Sequence, residues 1–396
     1  MIVYLIILMI SFQSSVTLTS IDTFLTSTIC GRLIRYPNLI LTEDELTQID
    51  DEISSFFPLP NNCDLFNHQK HITTDELIYP LAFTILIYTN LEQFDFLLRT
   101  IYRRYNHYCI HVDSKSPLSL YEAIVNRSKC VTNIYVPKQR IAVTWGRFSV
   151  LEAEHLCQKI LLKKSQNWKY YFNLANSDLP LKTNYELVQI LKLYNQQNDI
   201  TSLVYPYRPR EKKSRFNRTL PSSISLPLYK GEFHVLLTRQ TIEFIHNNSR
   251  VTDLYNYLNG TIVPDEHYYS IINRWKETPG FYPYNHDLSQ VSFMTRYKIW
   301  SDRPEFRLCH GHFVRGICVF NYQDLWHLST SPHLFANKIY FSHDRFVPYC
   351  MMKYLDVRNR MKEEHRKFSM IDEEFYRQLD NVQYGNTNFL SKNVIK

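Results

Sequence analysis

The chain has 396 residues, 44% of them hydrophobic, which suits one large domain with a sizeable core. Its net charge of +7 is mild for that length. Glycine is scarce, at 8 residues, and neither GxGxxG nor GxxxxGK(S/T) occurs, which argues against a Gly-rich phosphate loop.

The N-terminal run Met1–Phe12 is apolar but shorter than the roughly 20 residues a membrane span needs. It fits the apolar part of a signal peptide or a short signal anchor, although no lysine or arginine precedes it. An oxidising lumen is the compartment expected for the rest. The N-x-S/T triplets at Asn126, Asn217, Asn247 and Asn259 agree with it as candidate N-glycosylation sites. So does the even set Cys30, Cys63, Cys109, Cys130, Cys157, Cys309, Cys318 and Cys350, in which no CxxC occurs. Eight cysteines allow 105 pairings, so spacing alone leaves the connectivity open. Cys309, His310, His312 and Cys318 have the side chains for a zinc site, but disulfides are the better expectation in a lumenal chain. Nucleic acid is a poor partner for such a protein. The basic run Arg208–Arg218 reads as a solvated loop or as a rim for anionic or sugar ligands.

Residues 20–78 look polar and irregular and read as a stem. From Tyr79 short apolar runs alternate with helical periodicity. Leu81–Thr89 is a predicted buried strand, followed by a helix over Leu91–Arg104 with Leu91, Phe94, Leu97, Leu98 and Ile101 on one face. Tyr108–Asp113 is a second strand, and Pro117 opens a second helix. Asn133–Val136, a helix over Phe148–Lys164 and a strand over Trp168–Leu174 follow. Thr183 and Glu186 form a capping-box pattern before another helix. The order implies an α/β fold with a parallel sheet, whose ligands bind at the carboxyl ends of strands. Asp113 and Asp178 fall at such ends. Later, Phe233–Leu237 is a predicted strand, Thr238 caps a helix, and another helix begins near Pro264. Glu266 lies in that last helix's first turn, where the positive helix end favours ionisation, as a general base requires. A carboxylate that only complements the helix dipole is the commoner case from spacing alone.

The stretches PLAFTILIYTNLEQFDFLLRTIY, YCIHVDSKSP, WKYYFNLANSDLPLKTNYELVQILK, VPDEH, CHGHFVRGICVF and HLFANK together resemble the core-2 and I-branching β-1,6-N-acetylglucosaminyltransferases, a family that includes peptide O-xylosyltransferases. The resemblance runs from about Pro80 to Cys350. It implies a GT-A-like nucleotide-sugar domain in a type II Golgi membrane protein. The implied reaction is inverting transfer of N-acetylglucosamine from UDP-N-acetylglucosamine to a hydroxyl of an O-glycan or lactosamine acceptor, with no cofactor and no divalent metal. No Asp-x-Asp motif occurs, in keeping with that. By resemblance Glu266 is the catalytic base, Asp113 contacts the uridine side of the donor, Arg315 and Lys338 take the diphosphate, and Trp300 lines the acceptor site. The implied disulfides are Cys30–Cys350, Cys63–Cys130, Cys109–Cys157 and Cys309–Cys318. The expected layout is a signal anchor or signal peptide over 1–20, a lumenal stem over 21–78, a glycosyltransferase catalytic domain over 79–355 and a charged tail over 356–396. The chain departs from the family pattern at Ala175, in place of an unpaired cysteine. Ala142 stands where a tyrosine holds uracil, and Leu203 near an acceptor-binding glutamate. Xylosyl transfer to a proteoglycan serine and a glycan-binding protein without catalysis are the alternative readings.

Overall fold

The computed structural model describes residues 19–60, 63–67, 72–205, 215–216, 218–225, 227–283, 293–364 and 370–393. Met1–Phe12, Asn217 and most of the basic run Arg208–Arg218 lie outside the described residues.

The central sheet follows from the apolar runs. Strands β1 (Leu81–Ile87), β2 (His107–Val112), β3 (Ile134–Tyr135) and β4 (Tyr170–Ala175) pair in parallel. With β8 (Leu236–Thr238) the sheet order is β3-β2-β1-β4-β8, and β8 runs antiparallel to β4. A parallel sheet is covered on both faces, so its strands read as unbroken apolar runs. Side-chain alternation then divides the residues between two cores. Phe83, Tyr108 and Phe172 point to one, where Phe83 stacks between the other two rings at 5.3 Å from each. Ala82, Cys109, Tyr171 and Leu237 point to the other. The expected strand over Phe233–Leu237 is shifted to β8, because Thr238 ends it by capping the helix Arg239–Asn247 through the Thr241 N–H.

A smaller sheet orders β5 (Asp178–Pro180), β12 (Phe335–Asn337) and β9 (Arg296–Tyr297) as β5-β12-β9. Two hairpins, β6 (Leu203–Tyr205) with β7 (Leu228–Lys230) and β10 (His312–Val314) with β11 (Ile317–Val319), complete the strands used below.

The expected irregular stem is instead helical. Helices span Thr19–Ser27, Ile29–Arg35, Glu43–Phe56 and Thr74–Ile78. Ile21, Phe24, Leu33, Ile49, Ile53 and Leu65 join the same buried cluster as Phe83. The segment reads as polar because its apolar stripe is narrow: the helix Glu43–Phe56 fully buries only Ile49 and Ile53, one turn apart. The proposed tail boundary at Asp356 falls inside the helix Phe346–Glu364, and Arg358 beyond it is buried against Glu186 with Nε donating at 3.0 Å. The four disulfides are Cys30–Cys350, Cys63–Cys130, Cys109–Cys157 and Cys309–Cys318, the pairs the resemblance implies. Cys309 and Cys318 are thus bonded to each other and do not hold a zinc ion. Among the described residues no helix is long and apolar enough to cross a membrane. Asn126, Asn247 and Asn259 are exposed.

Candidate active site

Asp113 follows β2 at the carboxyl edge of the sheet and is buried. Its carboxylate accepts the Lys115 N–H at 2.8 Å and lies 3.5 Å from Lys115 Nζ. Arg140 donates to the Asp113 and Ser116 carbonyls at 2.7 Å each, which fastens the loop after β3 to the strand end. That loop continues to Trp145 and Gly146, and the Gly146 carbonyl accepts the Val263 N–H at 2.9 Å, immediately before Pro264 and the helix Asp265–Ile272. One loop therefore joins the Asp113 region to the start of the Glu266 helix.

Glu266 stands in the first turn of that helix, with its side chain 24% exposed. Its Oε2 accepts from Arg215 Nη1 at 3.0 Å and lies 3.5 Å from Lys230 Nζ. Oε1 takes no hydrogen bond among the described residues. His267 is kept neutral: burial, joined by the charges of Arg215 and Lys230, outweighs the Tyr229 hydrogen bond and lowers its pKa to about 3. A neutral ring that donates Nδ1–H to the Tyr229 carbonyl at 2.8 Å presents Nε2 as an acceptor, and Arg215 lies 3.3 Å from it. Glu266 and His267 thus seat Arg215 together. Burial, and then Glu266, push the neighbouring Asp265 up to about 7. Gly231 permits the close approach of β7 to this helix. Its N–H donates to the Glu266 carbonyl at 2.6 Å, and a Cβ there would lie 1.9 Å from the Thr201 oxygen.

Arg315 and Gly316 are the two central residues of the β10–β11 hairpin, with φ of 52° and 78°. Positive φ at both positions is the mark of a type I′ turn, and for arginine it costs about 1–3 kcal/mol. The turn projects the guanidinium, which lies 5.6 Å from the ring centre of the exposed Trp145. The Cys309–Cys318 bridge ties the β11 strand to the chain ahead of the hairpin. On the edge of β11 away from β10, Trp300 forms a bridge with Ile317. Lys338 follows β12, its N–H donating to the Cys318 carbonyl at 3.4 Å and its Nζ to the Val314 carbonyl at 3.1 Å. Burial, then Arg315 and Lys298, lower Lys338 to about 8. Among the described residues neither Arg315 nor Lys338 has a carboxylate within ion-pairing distance. Two unneutralised cations held together are a site for an anion.

Asp178 is not among the exposed groups. It is fully buried, accepting from Asn337 Nδ2 at 2.9 Å and the Ala175 N–H at 2.8 Å, and paired with Arg296 at 3.1 Å. Burial alone raises its pKa, but Arg296 and His234 outweigh that and hold it well below the ordinary carboxylate range. It fixes β12, and hence Lys338, beside β4. Asp178→Asn leaves Arg296 buried without its counter-charge and is expected to cost about 3–5 kcal/mol of stability, read as a fall in melting temperature. An unchanged melting temperature would count against that structural role.

The structure brings Glu266 beside Arg215 and Lys230, and Arg315 beside Lys338 and Trp300. Asp113 is joined to both groups through the Arg140–Gly146 loop. Arg215 was visible in the sequence only as part of a basic run; Lys230 and Lys298 carried no signal.

The family model of the Core-2/I-Branching enzyme matches residues 81–329. A human β-1,3-galactosyl-O-glycosyl-glycoprotein β-1,6-N-acetylglucosaminyltransferase is 30% identical over 340 residues, covering 79% of this chain and 77% of its own. The chain belongs to the core-2/I-branching enzyme family. The bovine protein of the same name is 30% identical, covering 76% of each chain. A human relative whose name carries the number 3 is 28% identical over 76% of this chain and 74% of its own. As a member of this branching family the protein is a glycosyltransferase, and the matched span holds Asp113, Glu266, Trp300 and Arg315, with Lys338 just beyond it.

Proposed function

We propose that the protein transfers N-acetylglucosamine from UDP-N-acetylglucosamine, with inversion and without a metal ion, to a 6-hydroxyl of an O-glycan or lactosamine acceptor. The observation that carries this reading is the adjacent pair Arg315 and Lys338, which among the described residues has no carboxylate partner. A departing nucleoside diphosphate gathers negative charge, and fixed cations stabilise that charge as a metal ion otherwise would. In this reading Glu266 takes the proton of the acceptor hydroxyl as the hydroxyl attacks the anomeric carbon. Arg215 and Lys230 orient the carboxylate through Oε2, and its Oε1 meets the acceptor. Asp113 faces the nucleoside, and Trp300 offers a flat apolar face to a sugar ring. The relatives' names support the donor sugar and the β-1,6 linkage. The sequons, the disulfides and the N-terminal apolar run support a Golgi lumenal site with membrane attachment through that run.

The test is a transfer assay on the fragment from Ile21, offering UDP-N-acetylglucosamine and UDP-xylose with O-glycan, lactosamine and serine-peptide acceptors, with and without excess EDTA. Transfer of N-acetylglucosamine to a glycan, undiminished by EDTA, is the expected result. Xylose transfer to the peptide, or activity that EDTA abolishes and manganese restores, overturns the reading.

A further inference from the structure

Two more charged side chains lie between the base and the diphosphate cations. Lys298, just past β9, ion-pairs with Glu232, which lies two residues beyond Lys230 at the end of β7. Both are substantially removed from water, at 6% and 22% side-chain exposure. Burying such a pair carries a desolvation cost that its own attraction often fails to offset, so stability alone gives weak reason for it. Its placement gives a better one. On the Glu232 side, Lys230 lies 3.5 Å from the Glu266 carboxylate and near enough to Glu232 for its charge to favour the Glu232 carboxylate. On the Lys298 side, the ammonium is close enough to Lys338 to depress its pKa and lies 5.9 Å from the Trp300 ring centre. The pair therefore spans the space between Glu266 and Lys338. In an in-line transfer the attacking hydroxyl and the anomeric carbon occupy that space.

We propose that the Glu232–Lys298 pair, with Trp300, reads the acceptor's pyranose ring. This rests on the function proposed above. The chemistry fits a neutral sugar bearing neighbouring hydroxyls. Lys298 keeps two N–H donors beyond the one given to Glu232, and the carboxylate keeps accepting capacity. One hydroxyl accepts from Lys298 while its neighbour donates to Glu232, and the apolar face of the ring lies on Trp300. Because the pair is internally neutral, it presents no net charge to an anionic acceptor.

The experiment compares acceptor KM and donor KM for wild type, Lys298→Met and Glu232→Gln, using a β-1,3-galactosyl-N-acetylgalactosaminide and its monodeoxy analogues. Each variant is expected to raise acceptor KM about 10–100-fold, the effect of losing a charge-assisted hydrogen bond, with little change in donor KM. The deoxy analogue lacking the hydroxyl that is read should be penalised in wild type and not penalised further in the variants. The double exchange Glu232→Lys with Lys298→Glu keeps an ion pair for folding while inverting its donors and acceptors. It should reorder the deoxy series. Donor KM rising as much as acceptor KM, or an undiminished deoxy penalty in every variant, or a lowered melting temperature with both constants unchanged, overturns the proposal. If wild type transfers no N-acetylglucosamine at all, the function above fails. The pair is then judged by disaccharide binding in saturation-transfer NMR, where loss of the signal in the variants supports it and an unchanged signal refutes it.

Discussion

Exchange of Glu266 for glutamine is expected to lower kcat by about 10²–10⁴-fold, the usual worth of a positioned general base. The substitution preserves size and leaves an oxygen for Arg215, but a carboxamide cannot accept the proton of the attacking hydroxyl. Two features of the structure prepare this carboxylate. It stands in the first turn of the helix Asp265–Ile272, where the helix end is positive. Arg215 and Lys230 both approach Oε2. The side chain is partly exposed, so the variant should melt near the wild-type temperature, and that measurement separates lost chemistry from lost folding. Retention of the full rate by a folded variant would falsify the assignment.

Removal of either diphosphate cation is the second large effect. Arg315→Ala and Lys338→Ala are each expected to reduce kcat by about 10²–10³-fold, as deletion of one preorganised charge-stabilising donor does. Arg315→Lys should recover only part of the loss, because an ammonium cannot reproduce the guanidinium fork. Lys338 also gives this site a pH signature. Its pKa of about 8 in the unliganded protein means it is charged below that pH and neutral above it. A bound diphosphate favours the charged form, so UDP affinity should fall as pH rises through 8. Titration calorimetry at pH 7 and pH 9 checks this: wild type should bind UDP more weakly at the higher pH, and Lys338→Ala should lose most of that difference. A flat wild-type profile counts against Lys338 as a phosphate ligand.

The parallel sheet was legible because a doubly covered strand such as Leu81–Ile87 is apolar throughout, and Thr183 with Glu186 marks the following helix plainly. The N-terminal helices were missed because mean polarity hides a stripe as narrow as Ile49 and Ile53. The signals that were present are the capping boxes Thr42 with Glu45 and Thr73 with Glu76, both formed in the structure. Glu266, Arg315 and Lys338 could be named because their motifs resemble a family's. Arg215, Lys230, Glu232 and Lys298 could not, since each is an unremarkable charged residue along the chain. Only the topology that sets β7 beside the Glu266 helix and β9 beside β12 brings them to one place. Asp178 shows the opposite error available to sequence reading: a carboxylate at a strand end that is part of the frame.

The bridge between Cys30 and Cys350 joins positions 320 residues apart and encloses the sheet, both cation-bearing elements and the Glu266 helix. A protease that nicks the backbone once anywhere inside this ring therefore releases nothing. The two pieces remain one covalent molecule, and only a reductant would let them separate.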